Sequence, residues 1–341
     1  MHRVLVPALL LAVVIPLVAD DARKAVTIFN GKDLAGWVNV NCAPNTFTVQ
    51  DGEIVTDGKP TGFLRTDKHY ENFVLEMEWK HSNVKAVGNS GLFVWGDPLP
   101  AVGTGYTRGI EVQVLVNFEV DWATSHGDLF SIWGAKCKPD RPHPKGYERC
   151  LPSERRCKGG GEWNHYKVTG NDGAIKLEVN GKEVSGLSQC SPRKGYLALE
   201  SEGAECRFRN LKLTELPSTN PKPEEVADLD RGFVSLYNGV NLDGWEANDS
   251  WKAGEVLTCT GDKPLSTTAK PGAIDLLFDV LLPKETTEAT LTVRGQDIPV
   301  TAKPGVWKRL HLVTDAGKGT PIVLPALKGL QVRNVFLKKA K

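Results

Sequence analysis

Apolar and polar residues alternate along much of this chain. Phe73-Val-Leu-Glu-Met-Glu-Trp79 puts an apolar side chain at every second position. Gly91–Trp95, Gly109–Val116, Tyr166–Val168, Ile175–Val179 and Tyr196–Glu200 follow the same rhythm. A period of two predicts strands with one face buried. Asn180-Gly181 stands between Ile175–Val179 and Lys182–Val184, and Asn-Gly is the pair that closes a two-residue hairpin. Asn171-Asp172-Gly173 predicts a second turn. No window carries a long amphipathic helical pattern. The expected fold is all-β, a sandwich or jelly roll.

The pattern also repeats. Ile28-Phe-Asn-Gly-Lys-Asp-Leu-Ala-Gly-Trp37 returns as Leu236-Tyr-Asn-Gly-Val-Asn-Leu-Asp-Gly-Trp245. Gly52-Glu-Ile-Val55 returns as Gly254-Glu-Val-Leu257, Gly161-Glu-Trp163 as Gly305-Val-Trp307, and Phe208-Arg-Asn-Leu211 as Val332-Arg-Asn-Val335. Four anchors in one order predict two copies of one fold. The second copy is shorter by nearly half, with most of the loss in its middle. The expected organisation is a leader at 1–22, a first sandwich at 24–216, a proline-rich spacer at 217–227 and a smaller, degenerate sandwich at 228–341. Three prolines favour an extended, semi-rigid spacer.

Composition changes this picture little. Gly 34 and Pro 21 in 341 residues suit short strands and many turns. Lys+Arg 42 against Asp+Glu 41 leaves a net charge of +1. Such a balance offers no field for nucleic acid or an anionic membrane. The leader does change it. Met1-His-Arg3 followed by an apolar run to Ala19 has the form of a secretory signal. Export to the periplasm or beyond is therefore expected, with no stable membrane span once the signal is removed. Export permits disulfides among the seven cysteines. Cys150 and Cys157 lie close enough in sequence to pair; a pair and free thiols both fit.

The standard enzyme motifs are missing: no H-E-x-x-H, no P-loop and no G-x-S-x-G. The candidate chemistry is a set of polar residues inside strands. Ile110, Val112, Val114 and Val116 share one face of their strand, and Glu111 and Gln113 share the other. Glu200 and Glu202 likewise share a face. Carboxylates and amides beside Trp95, Trp163 and Tyr106 suit a sugar, whose hydroxyls they bond and whose ring they stack on. Glu76 and Glu78 have the same pattern, and alternating acids are also what a solvated strand face shows. His126 in His-Gly-Asp128 is a candidate base or metal ligand. His143 reads as an exposed loop residue.

Together these segments resemble the 3-keto-disaccharide hydrolase domain family. The resemblance rests on Phe29–Trp37, Asn89–Phe93, Gly109–Gln113, His126–Phe130, Gly161–His165, Val179–Gly181, Leu199–Gly203 and Phe208–Asn210, in family order across the first copy. It implies a concanavalin A-like jelly roll acting on sugars already oxidised at C3. A C3 ketone acidifies the C2 proton, so a base can remove it and the C1 substituent can leave by elimination, with water adding back. The resemblance implies Glu111, His126 and Glu200 as catalytic candidates, with Gln113, Trp95, Glu202 and Trp163 on the substrate. It also implies a role for a divalent metal, for which Glu111 and His126 are the candidate ligands. The chain departs from many family members at Val116-Asn117, where an acidic or polar residue is common before the Asn. The insert from Lys136 to Lys158 is either a roof for the cleft or a pinned surface loop. Two other readings stand beside this one. One is a carbohydrate-binding module without turnover; the other is a glycosidase with paired carboxylates acting on unoxidised sugar.

Overall fold

The computed structural model describes residues 24–315 and 318–340. The expected leader lies outside the described residues. The described chain is all-β, with one short 3-10 turn at Pro223–Glu225. No described helix is long and apolar enough to cross a membrane.

The first domain is a jelly-roll sandwich of two antiparallel sheets. The larger runs in the order Lys136–Pro139, Lys182–Ser191, Ala174–Val179, Asn164–Asn171, Phe73–His81, Cys206–Glu215, Glu53–Thr56 and Phe47–Gln50. The smaller runs Arg149–Cys150, Leu129–Ile132, Gly109–Val116, Gly88–Gly96, Tyr196–Ser201, Gly62–Thr66 and Trp37–Val40. Leu75, Met77, Trp79, Val112, Val114, Tyr166, Leu177 and Phe208 fill the space between them. Both expected turns form: Asn180 and Gly181 take φ of 48° and 85°, Asp172 and Gly173 48° and 72°. These left-handed values match the twist of the strands they join.

The two sheets differ in how they meet solvent. Phe73–His81 alternates strictly between buried and half-buried. Its polar face is solvated, so Glu78 pairs with Arg209 and Glu76 faces His165. Gly109–Val116 is buried at every position. Its apolar face meets the core, so its polar face must be covered by something else.

The neighbouring strands of that sheet are covered by the second copy. There, a six-stranded sheet centred on Ile274–Leu281 and Gln331–Lys339 packs with two two-stranded ribbons around its own core. Phe233 and Phe336 from this copy bury against Val40, Phe63, Phe93 and Ala198 of the smaller sheet. Around that apolar centre, Arg65 reaches Asp230 at 2.6 Å and lies 4.4 Å over the Tyr196 ring. Buried Asp279 accepts from Arg309, from the Asn334 amide and from the backbone N–H of Gly103. The spacer is no free tether. Asn72 Nδ2 donates to Pro217 O, and Glu71 accepts from Thr219 N–H.

The recurrent motifs adopt matching local geometry. Asn30 Oδ1 accepts from the N–H groups of Lys32 and Asp33, and Asn238 Oδ1 from those of Val240 and Asn241. Trp37 N–H donates to Leu34 O, and Trp245 N–H to Leu242 O. Asn210 and Asn334 both adopt left-handed φ, 56° and 50°, at irregularities in their strand pairing. The recurrent Arg-Asn pair is thus a β-bulge that lets the strand change face.

The seven cysteines are free thiols, so the pairing left open for Cys150 and Cys157 does not occur. Cys150 is buried. The Lys136–Lys158 insert is held by strands instead, with one segment on the edge of each sheet. His143, expected on an exposed loop, is buried with Nε2 at 3.1 Å from Asp121 O.

A chain ending at Leu216 would uncover the Val40, Phe63, Phe93 and Ala198 patch. Phe336→Ala in the full chain is the milder test, expected to cost about 3–5 kcal/mol by denaturant unfolding. A Phe336→Ala midpoint equal to wild type would show that the copies do not stabilise each other through this contact.

Candidate active site

The polar face of the smaller sheet carries a cleft of about 380 Å³. Its floor comes from three neighbouring strands. Glu111 and Gln113 stand opposite Phe93 and Gly91, and Leu199 stands opposite Leu92. Glu111 and Glu200 therefore flank the strand that carries Gly91. A Cβ on Gly91 would come within 2.9 Å of Glu200 Oε2 and 3.1 Å of Glu111 Oε1. The missing side chain is what lets the two carboxyl groups approach across an intervening strand. An alanine there would strike both.

A hydrogen-bonded row runs along the floor. Gln113 Nε2 donates to Asn89 Oδ1 at 2.9 Å and to Ser90 O at 3.1 Å. Asn89 Nδ2 donates to Glu202, which also accepts from the Tyr106 hydroxyl at 2.7 Å. Glu200 differs. No N–H or hydroxyl group donates to either of its buried oxygens, and its partner is the Glu202 carboxyl.

These surroundings set the protonation states. Burial pushes Glu111 up to about 8; neighbouring Glu202 adds to this and Arg149 opposes it. Burial, and then the charges of Glu111 and Glu202, hold Glu200 far above the usual carboxylate range. Glu202 is raised by burial, against the pull of its Tyr106 hydrogen bond. Close carboxyl groups in a poorly hydrated floor share protons rather than ionise together.

Arg149 supplies the cation. The insert's short strand Arg149–Cys150 pairs with Leu129–Ile132 and delivers the guanidinium to the cleft wall. The guanidinium lies 3.7 Å over the Phe130 ring, and its Nη1 donates to the buried Asp128 at 2.8 Å. Asp128 is fixed in turn by Thr124, through its N–H and its hydroxyl. Trp122 and Trp133, 45% and 52% exposed, stand at the rim, where Trp133 stacks on Tyr106.

The cleft thus gathers Glu111, Gln113, Glu200 and Glu202. Three other expected residues lie elsewhere. Trp95 is in the core: a left-handed φ of 57° turns it away from the cleft face, and its Nε1 donates to Glu71 O. Trp163 lies on the far sheet, beneath Arg209 at 3.8 Å. His126 lines a separate cavity with Glu119, Cys157 and Lys158, and Phe118 divides it from the carboxylates. Glu111 and His126 therefore do not form a ligand pair. Among the described residues no three His, Cys, Asp or Glu side chains gather to hold a metal. Val116, where the chain departs from the family pattern, faces the core.

The sequence reading missed Arg149, Trp122 and Trp133. The signal available was weak: an arginine within an insert, and two tryptophans in turn-rich segments, where an aromatic has no core to join.

The family model of the 3-keto-alpha-glucoside-1,2-lyase-like domain matches residues 24–214. The chain belongs to this family. The match spans the whole jelly roll that carries the cleft and ties it to carbohydrate chemistry. Solved structures similar to the chain include a Parabacteroides distasonis protein provisionally assigned as a glycosyl hydrolase. It is 23% identical, covers 57% of this chain and 94% of its own, and has a TM-score of 0.44. The carbohydrate binding module CBM66 of Bacillus subtilis is 13% identical over 53% of this chain and 96% of its own, with a TM-score of 0.40. A Bacillus licheniformis beta-glucanase is 12% identical over 57% and 98%, with a TM-score of 0.36. No curated protein matches the chain.

The raised carboxyl groups of the family domain tie stability to pH. Each holds a proton in the folded state that it would lose in the unfolded state above its ordinary value of 4.5. That contribution is complete below the unfolded value and is lost as pH rises toward the folded one. Unfolding midpoints should therefore fall from pH 5 to pH 9, and Glu200→Gln should flatten the fall and raise the midpoint at pH 8. A pH profile that Glu200→Gln leaves unaltered would refute the buried proton.

Proposed function

We propose that the first domain cleaves 3-keto-glycosides by elimination followed by hydration. The observation that carries this reading is the floor itself. Glu111, pushed up to about 8 by burial, lies beside the proton-bearing Glu200 in a cleft rimmed by exposed tryptophans. A general base works best with a pKa near the working pH.

In this mechanism ionised Glu111 takes the C2 proton, and the electron pair of the broken C–H bond moves into the C3 ketone as an enolate. Arg149 stabilises that charge. The enolate then collapses, C1 and C2 become doubly bonded, and the bond from C1 to the leaving oxygen breaks. The Tyr106–Glu202 pair is the proton source for that oxygen. Water adds across the double bond, with the proton returned to C2 and oxygen bonded to C1. The net change is hydrolysis. Glu200, both of whose oxygens are buried, is a positioning residue that keeps a proton between its neighbours. Gln113 and Asn89 orient the sugar. Polar groups at the centre with aromatics at the rim favour turnover over simple binding.

Matched disaccharides, unoxidised and 3-keto, test this with the purified protein, with and without a chelator. Cleavage of the 3-keto form alone is expected. Cleavage of the unoxidised sugar would make this a paired-carboxylate glycosidase. Binding of both without cleavage would make it a binding module.

Two variants assign the groups. Glu111→Gln should lower kcat by about 10²–10⁴-fold and leave the folded state intact. Arg149→Gln should lower kcat by about 10²-fold with a smaller change in KM. Wild-type kcat/KM should rise with pH through an apparent pKa near 8, because the base acts ionised. A Glu111→Gln enzyme of ordinary activity would end the assignment.

A further inference from the structure

The second copy walls a space that adjoins the cleft. A cavity of about 430 Å³ lies where the copies meet. It shares Tyr106 and Glu202 with the catalytic cleft and is otherwise walled by Lys59, Pro60 and Thr61 from the first copy and Val240 and Glu255 from the second. The two spaces meet at Tyr106 and Glu202, the proposed proton source for the leaving group.

The internal repeat serves as a control on what this wall is for. In the first copy, Glu53 is an ordinary structural acid. It accepts from Arg207 at 3.2 Å and lies 3.9 Å from Arg209. Glu255 and Arg333 are their counterparts in the second copy, and there the pairing is changed. Glu255 Oε1 reaches across the boundary and accepts from Thr61 N–H at 2.9 Å and from the Thr61 hydroxyl at 2.7 Å. Arg333 is left only 9% exposed, with Nε and Nη2 unpartnered. Its Nη2 lies 3.2 Å from where a Cβ on Gly105 would stand, next to Tyr106. Buried N–H groups without partners are costly, so the second copy keeps Arg333 at this boundary at a cost in stability.

The repeated Asn-Gly turn has changed its use as well. Gly31 has no atom closer than 3.9 Å to its missing Cβ, whereas at Gly239 a Cβ would meet Pro60 at 2.8 Å. Only glycine, here at φ 73°, lets the turn of the second copy sit against the cleft rim. That contact brings Val240, 47% exposed, to the wall.

We propose that this cavity binds the leaving half of the substrate, a second sugar ring, so that the second copy selects disaccharides over simple glycosides. The assignment rests on the function proposed above. Glu255 and Lys59 offer an acceptor and a donor for hydroxyls, and Val240 and Pro60 an apolar face. The volume lies within the roughly 300–1,000 Å³ of small-molecule sites.

Val240→Trp fills the cavity from an exposed turn and should leave folding undisturbed; Glu255→Ala removes the carboxylate. Each should lower kcat/KM for a 3-keto-disaccharide about tenfold or more relative to its effect on methyl 3-keto-glucoside, with the loss in KM. Equal losses on the two substrates, or none, would overturn the subsite. If wild type cleaves neither, the proposed reaction fails, and calorimetry decides the subsite separately. Tighter binding of disaccharide than of monosaccharide by wild type, lost in Val240→Trp, would sustain it. Equal affinities for the two sugars would overturn it.

Discussion

Glu111 and Glu200 approach the same empty point above Gly91, which leaves no more than about 6 Å between their nearest oxygens. Two full charges at that distance repel by about 3 kcal/mol at a protein-like dielectric, before the cost of removing each from water is counted. The floor therefore keeps a proton, and much of the cleft follows from that. Burial raises Glu202 as well, against the pull of its donors Tyr106 and Asn89. Arg149 must be brought in as a counter-charge, and it is anchored through Asp128 so that it does not collapse onto the carboxylates. The absence of one methyl group at position 91 is the steric condition for all of this.

The same sheet explains the two-copy architecture. A strand with apolar residues on one face and acids on the other is stable at the surface, where water covers the acids. Gly109–Val116 is buried on both faces, so its one acid, Glu111, titrates in a poorly hydrated place and its open side needs walls. The Lys136–Lys158 insert walls one side through Arg149. Phe233 and Phe336 of the second copy seal the apolar remainder. The shared devices of the two copies, the Asn cage at the first turn and the Asn bulge near the end, are local and survive shortening. What has diverged is the pairing of Glu255 and Arg333, residues at the junction of the copies.

The fold was legible because it is written in near neighbours. Alternation, Asn-Gly turns and the recurrent motifs each depend on a few consecutive residues. The location of Glu111, Gln113 and Glu200 on cleft-facing strand positions, and of Glu202 just past its strand, followed from the same parity. Parity failed at Trp95, because a single left-handed residue reverses the faces and nothing in Val94-Trp95-Gly96 announces it. It was silent on Trp163, since a tryptophan that suits a sugar ring suits an arginine equally well, and Arg209 occupies it. His126 was attractive as the lone histidine of a polar motif, yet the partner of the cleft from that segment is Asp128, acting through Arg149.

The sequence by itself determined the all-β sandwich, the recurrent motifs and the strand faces that carry the acids. Only the tertiary structure decided which of those acids share protons, which arginine meets them, and that the spacer and second copy lie against the first. The physical reason is range. Strand and turn preferences act between residues a few positions apart, whereas burial, charge coupling and cavity walls depend on side chains brought together from distant strands.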